Sequence, residues 1–152
     1  MDYQVKALHP LFAAEITGID LRTPPAPAAL ARINAAMDRY AVVVLRDQQL
    51  DDDQQMTVAR ALGPLEPSPA VVDQHLHRLK HREMVDISNL DVDGSVLAAD
   101  DRRRMFNLGN FLWHSDSSFK ATPAHYSMLH ARVVPPSGGE TEFADMRGAY
   151  DE

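Results

Sequence analysis

The sequence predicts an α+β fold, and three observations point to it. Apolar residues between Ala28 and Tyr40 recur at three- and four-residue spacing, the period of one helical face. The five residues that follow, Ala41-Val42-Val43-Val44-Leu45, are a short β-branched run that reads as a buried strand. Beyond residue 83 the apolar groups are short and bounded by turn residues, which favours strands.

Residues 3–21 carry Val5, Leu8, Leu11-Phe12-Ala13-Ala14, Ile16, Ile19 and Leu21, interrupted by His9-Pro10 and Gly18. They read as short strands joined by turns. Thr23-Pro24-Pro25-Ala26-Pro27 is a stiff connector, because its prolines remove backbone donors. The first helix then uses Leu30, Ile33, Ala36, Met37 and Tyr40 as its apolar face. Arg46-Asp47-Gln48-Gln49 turns the chain after the β-branched run. Asp51, with Gln54 three residues on, resembles a capping box and opens a second helix to about Leu62, with Met56, Ala59 and Leu62 on a weaker face. Gly63-Pro64 stops it.

Met84-Val85-Asp86-Ile87-Ser88 reads as a strand and Asn89 to Arg104 as a long polar loop. Phe111 to Phe119, Tyr126 to Val134 and Glu140 to Ala144 are the next expected strands, with a Pro135-Pro136-Ser137-Gly138-Gly139 turn between the last two. Asp145 is placed to cap a helix that starts at Met146.

The length of 152 residues fits one domain with a real core. No apolar run is long enough for a transmembrane helix, and Met1-Asp2-Tyr3-Gln4-Val5-Lys6 lacks the pattern of a signal peptide. The absence of cysteine excludes disulfides, thiolate metal sites and a cysteine nucleophile, and fits a cytoplasmic, reducing setting. A net charge of −7 argues against nucleic acid as the main partner. Arg102-Arg103-Arg104 follows Asp100-Asp101 and reads as a solvated loop.

The chemistry centres on Trp113-His114-Ser115-Asp116. In a strand His114 and Asp116 point to the same face. An imidazole and a carboxylate so placed are two thirds of a facial triad for non-haem iron(II). By itself the pair is weak: with seven histidines in the chain, chance alone supplies on the order of 0.7 such pairs. A hydrogen-bonded structural histidine is the commoner use of such a residue. A rival cluster, His75, His77, His81 and Glu83, loosely resembles a cupin ligand set, but its spacing to Glu83 is one residue too long, and a solvated loop is the better reading.

Context decides between these readings. Gly109-Asn110-Phe111-Leu112-Trp113-His114-Ser115-Asp116-Ser117-Ser118-Phe119, Pro135-Pro136-Ser137-Gly138-Gly139-Glu140-Thr141-Glu142-Phe143 and Asp145-Met146-Arg147 resemble the TauD/TfdA family of iron(II)- and 2-oxoglutarate-dependent dioxygenases. Leu8-His9-Pro10-Leu11-Phe12-Ala13-Ala14, Ile19-Asp20-Leu21-Arg22, Gly63-Pro64-Leu65-Glu66 and Asp86-Ile87-Ser88-Asn89 extend the resemblance along nearly all of the chain. It is nearest to the branch that cleaves 2,4-dichlorophenoxyacetate and related aryloxyalkanoates.

The resemblance implies that His114 and Asp116 are iron ligands, that Thr141 bonds the distal carboxylate of 2-oxoglutarate, and that Asn110 and Ser117 lie near the substrate. It implies hydroxylation beside the ether oxygen of a small anionic substrate by dioxygen, giving a phenol, an oxoacid, succinate and carbon dioxide. Where the herbicide-cleaving branch has a basic residue in the loop near Asp93-Gly94, this chain has Ser95. The implied fold is a double-stranded β-helix, or jelly roll, with flanking helices. Residues 1–152 would be a single incomplete domain, its N-terminal part. The resemblance puts the family's third ligand, a histidine completing the facial triad, roughly 110–150 residues past Asp116, so that it and the arginine that pairs with 2-oxoglutarate would fall beyond Glu152. The chain alone is therefore expected to be inactive and, with unpaired strand edges, prone to aggregate. A TauD-like sulfonate (taurine) dioxygenase and a non-catalytic β-rich binding module are the alternatives. Assembly as a homo-oligomer is left open by the sequence.

Overall fold

The computed structural model describes residues 3–66 and 78–151. The chain divides into two compact units, one of Met1–Leu62 with Leu129–Glu152 and one of Gly63–Met128.

The first unit is an α+β structure around a three-stranded sheet of order β1-β2-β3. Strand β1 (Gln4–Ala7) pairs antiparallel with β2 (Ala14–Thr17), in a register that sets Val5 opposite Ile16. Strand β3 (Val43–Val44) lies parallel to β2, with Ala14 opposite Val43. A parallel neighbour needs a crossover, and helix α1 (Pro27–Tyr40) supplies it. Pro27 occupies the first turn, where its missing N–H removes no helical bond. Helix α1 buries Ala29, Ile33 and Ala36. The predicted face is therefore shifted slightly, with Leu30 half-buried beside the deeper Ala29.

Helix α2 (Asp52–Leu62) opens on a reciprocal capping box. The Gln54 amide donates to Oδ1 of Asp51 at 2.8 Å, and the Asp51 amide donates to Oε1 of Gln54 at 2.9 Å. Met56 and Val58 are its buried residues. Val58 joins Ile16, Ile19, Leu21, Ala29, Ile33 and Ala36 in the apolar interior of this unit. Gln48 stitches the turn after β3 to the end of the β2 segment: it accepts from the Leu21 amide at 2.8 Å and donates to the Ile19 carbonyl at 3.0 Å. Helix α4 (Met146–Asp151) begins where Asp145 accepts from the Arg147 amide at 3.2 Å, as the sequence predicts.

In the second unit the described residues bury two large apolar side chains, Met84 and Leu97. A bridge between Leu90 and Val96 closes a turn in which Gly94 has φ 84°. Helix α3 (Arg102–Asn107) follows, capped by the Asp101 carboxylate, and a 3-10 turn, Leu108–Phe111, continues it.

Several expectations are corrected. The segment Asn89 to Arg104 is not a plain polar loop, because it holds the Leu90–Val96 bridge and the start of α3. Within Arg102-Arg103-Arg104, Arg103 is engaged rather than solvated: it pairs with Asp91 and with Asp101, each at 2.9 Å. The β-branched run Ala41 to Leu45 pairs over Val43–Val44 alone and is half-buried there, because Ala41 takes φ 61° to end α1. None of the expected strands at 84–88, 111–119, 126–134 and 140–144 forms a ladder. A strand is stabilised by a neighbour, and the described residues offer these segments none. Met84 apart, most of their large apolar side chains stand in solvent: Phe111 is 82% exposed and Val133 84%. Three strands form one small sheet, so the α+β class holds among the described residues.

Candidate metal centre

The 3-10 turn Leu108–Phe111 brings the chain out of α3 and closes with the Leu112 amide donating to the Gly109 carbonyl at 3.1 Å. Leu112 is then extended, with φ −95° and ψ 143°. That geometry turns the Leu112 carbonyl toward the His114 ring, whose Nδ1 lies 2.8 Å from it. A carbonyl oxygen only accepts, so in the neutral ring Nδ1 carries the proton and Nε2 carries the lone pair. Nε2 in turn faces Oδ1 of Asp116 at 3.4 Å.

Two electron-pair donors thus face each other across a space suited to a cation. Donors about 2.1 Å from one ion stand roughly 3.0–3.4 Å apart at octahedral to tetrahedral angles. The His114–Asp116 separation fits that span, and imidazole plus carboxylate suits a divalent first-row metal. Both side chains are about half exposed, at 50% and 57%, so a metal has open access. The donor set stops at two: no group of three histidine, aspartate or glutamate side chains stands together among the described residues.

The pair comes together without the strand that the sequence predicts. The chain turns over residues 116–119, with Ser117 at φ 55°. The turn is closed by the Lys120 amide on the Ser117 carbonyl at 2.9 Å. The Ser118 hydroxyl donates to the Ser115 carbonyl at 3.2 Å. The Ser117 hydroxyl donates to Oε2 of Glu66 at 2.8 Å, and the Lys120 ammonium bonds Oε1 of the same carboxylate. Lys120, and then the Ser117 hydroxyl, hold the Glu66 carboxyl below the usual glutamate range. In the sequence Glu66 stands only as the last residue of Gly63-Pro64-Leu65-Glu66, with nothing to mark this contact. A contact made 51 residues away leaves no periodic signal.

Asn110 lies exposed in the 3-10 turn of this same unit. Thr141 belongs to the other unit, exposed, two residues past a turn in which Gly138 and Gly139 have φ 76° and 74°. Those dihedrals favour glycine, and a Cβ on Gly139 would also stand tightly, at 3.3 Å, against Cγ of Pro135. His125 packs against Tyr126 at 4.3 Å, and His130 directs Nε2 to the Gln48 carbonyl at 2.9 Å. Of the rival cluster, His75 and His77 lie outside the described residues.

The chain as a whole has known relatives. The model of the taurine catabolism dioxygenase TauD, TfdA family matches residues 4–152. Over 151 residues the chain is 50% identical to the alpha-ketoglutarate-dependent 2,4-dichlorophenoxyacetate dioxygenase of Cupriavidus pinatubonensis, covering 99% of this chain and 53% of that protein. It is 36% identical over 151 residues to the (S)-phenoxypropionate/alpha-ketoglutarate-dioxygenase of Sphingobium herbicidovorans, covering 98% of this chain and 47% of that protein. Among solved structures, AAD-2 in complex with Mn(II) and N-oxalylglycine superposes with a TM-score of 0.83 at 46% identity, covering 99% of this chain and 50% of that one. The chain spans about half the length of the curated relatives it matches.

Proposed function

The chain belongs to the TauD/TfdA family, and from that premise we propose that it carries two metal ligands and a cosubstrate contact of an iron(II)- and 2-oxoglutarate-dependent dioxygenase acting on aryloxyalkanoates. The observation that carries the reading is the His114–Asp116 pair, with Nδ1 of His114 committed to a carbonyl and Nε2 turned to the carboxylate. The relatives' own names, which pair alpha-ketoglutarate with 2,4-dichlorophenoxyacetate or phenoxypropionate, support the substrate class.

Bound iron(II) with 2-oxoglutarate supplies the oxidation of a C–H bond by dioxygen. The chain's residues would then have the following tasks. His114 binds through Nε2, and the Leu112 carbonyl fixes its ring and raises its basicity. Asp116 supplies the anionic ligand beside it. Thr141 donates its hydroxyl to the distal carboxylate of 2-oxoglutarate, and Asn110 offers its amide to the substrate. Hydroxylation at the carbon beside the ether oxygen yields a hemiacetal, which releases the phenol and leaves an oxoacid, while 2-oxoglutarate becomes succinate and carbon dioxide. The jelly roll of the family is the frame proposed for this chemistry, and a cytoplasmic setting suits it. No described helix is long and apolar enough to cross a membrane.

Two protein donors, the number that stand together among the described residues, hold iron weakly, so the chain is expected to bind iron(II) at high concentration and to turn over little 2-oxoglutarate. The test is an anaerobic titration with iron(II) and 2-oxoglutarate. A weak visible charge-transfer band that saturates, and that vanishes in His114→Ala, is the expected result. Its absence at saturating iron(II), or its persistence in His114→Ala, contradicts the proposal.

A further inference from the structure

Glu66 has no task in the chemistry above, yet both oxygens of its carboxylate are engaged, and both by the turn that follows Asp116. Oε2 accepts the Ser117 hydroxyl at 2.8 Å and Oε1 takes the Lys120 ammonium. The two partners are the ends of one turn, since the Lys120 amide closes it on the Ser117 carbonyl. Glu66 and Lys120 are about three-quarters buried, with side chains 28% and 27% exposed, whereas His114 and Asp116 are half exposed. Among the described residues the turn's other contacts are local. Phe119 is 77% exposed, and the Ser118 hydroxyl reaches no further than Ser115.

The backbone supports the same reading. Ser117 sits at φ 55°, a left-handed conformation that a residue other than glycine keeps only when its surroundings impose it. A serine hydroxyl has one proton to donate. Here that proton is spent on Glu66, so Ser117 has no donor left for an anionic substrate and acts as an anchor. Glu66 does not join His114 and Asp116 as a third donor, since no three such side chains stand together among the described residues, and both of its oxygens are engaged by Ser117 and Lys120.

We propose that Glu66 is a positioning residue for the metal pair: by clamping Ser117 and Lys120 it fixes the turn after Asp116 and so the direction in which Asp116 presents its carboxylate to His114. The inference rests on the reading of His114 and Asp116 as metal ligands. Residues that orient metal ligands from behind typically change affinity 10–100-fold when lost.

The test is a Co(II) titration of the 152-residue chain, followed by visible absorption, together with amide hydrogen exchange across residues 112–120 of the metal-free protein. Glu66→Ala is expected to weaken Co(II) binding about tenfold or more and to speed exchange at residues 115–120, leaving α1 unchanged. Glu66→Gln keeps an acceptor for Ser117 but loses the charge that holds Lys120, so it should fall between parent and Glu66→Ala. If Glu66→Ala matches the parent in affinity and exchange while His114→Ala loses the site, the positioning role is overturned and the metal reading stands. If the parent and His114→Ala titrate alike, the metal reading fails and this inference fails with it. Should Glu66→Ala lose its circular-dichroism signal, Lys120→Met decides, since it removes one of the two contacts: weaker Co(II) binding in a folded protein supports the role, and unchanged binding overturns it.

Discussion

His114 directs Nε2 to within 3.4 Å of Oδ1 of Asp116, although neither residue lies in a strand. What aims the ring is the Leu112 carbonyl, two residues back and 2.8 Å from Nδ1. In the neutral ring the proton should therefore reside on Nδ1. Long-range nitrogen–proton NMR correlations of the metal-free chain should show that tautomer for His114. A proton on Nε2 would mean that the lone pair needed for a metal points at the backbone instead.

The capping box at the start of α2 gives a stability prediction. Asp51→Ala removes the acceptor for the Gln54 amide and should lower stability by about 1 kcal/mol, read by urea denaturation. Gln54 does more than cap, because its Nε2 also donates to the Arg22 carbonyl at 3.1 Å. Gln54→Glu keeps the box but leaves that carbonyl without its donor, so it should be destabilising where a cap alone would tolerate it.

Helix α3 should melt in strong acid. Arg103 holds the Asp101 carboxyl down from 3.8 to about 2. A carboxyl whose folded value lies below its unfolded one stabilises fully above about pH 4, and that contribution is lost as pH falls through about 2. Exchange at the Arg103 amide, which donates to Asp101 at 2.8 Å, should accelerate through that window. Asp101→Asn keeps a cap without the titration, so a wild-type-like acid midpoint in that variant would refute the assignment.

How far the sequence could be read follows from the range of the interactions. Helix α1, the capping box and the Asp145 cap are set by residues within four positions of one another, so spacing alone reveals them. Helix α3 hid behind its charge. Three successive arginines resemble a solvated loop until Asp91 and Asp101 are seen to take up Arg103. The strands beyond residue 83 failed for a different reason, since alternation marks an extended segment but cannot supply the neighbour that makes it a strand. The approach of His114 to Asp116 was legible because the two lie two positions apart. The tie from Ser117 to Glu66 was not, for it joins positions 51 residues apart.

Trp113 is the sole tryptophan of the chain and is 69% exposed. Its fluorescence should be red-shifted and readily quenched by acrylamide. With Phe106, Phe111 and Phe119 also in solvent, at 78%, 82% and 77% exposed, the protein should bind a hydrophobic dye while folded. Blue-shifted, protected emission would show that this segment packs against something.

Because Trp113 immediately precedes His114, its emission also reports directly on the proposed centre. Titrating the chain with Co(II), a paramagnetic quencher with the same donor preferences as iron(II), measures the central claim most directly. The predicted result is saturable quenching of Trp113 at one site, weakened at least tenfold in both His114→Ala and Asp116→Ala. Quenching that is linear in Co(II), or equal in the parent and both variants, would contradict a metal centre at His114 and Asp116.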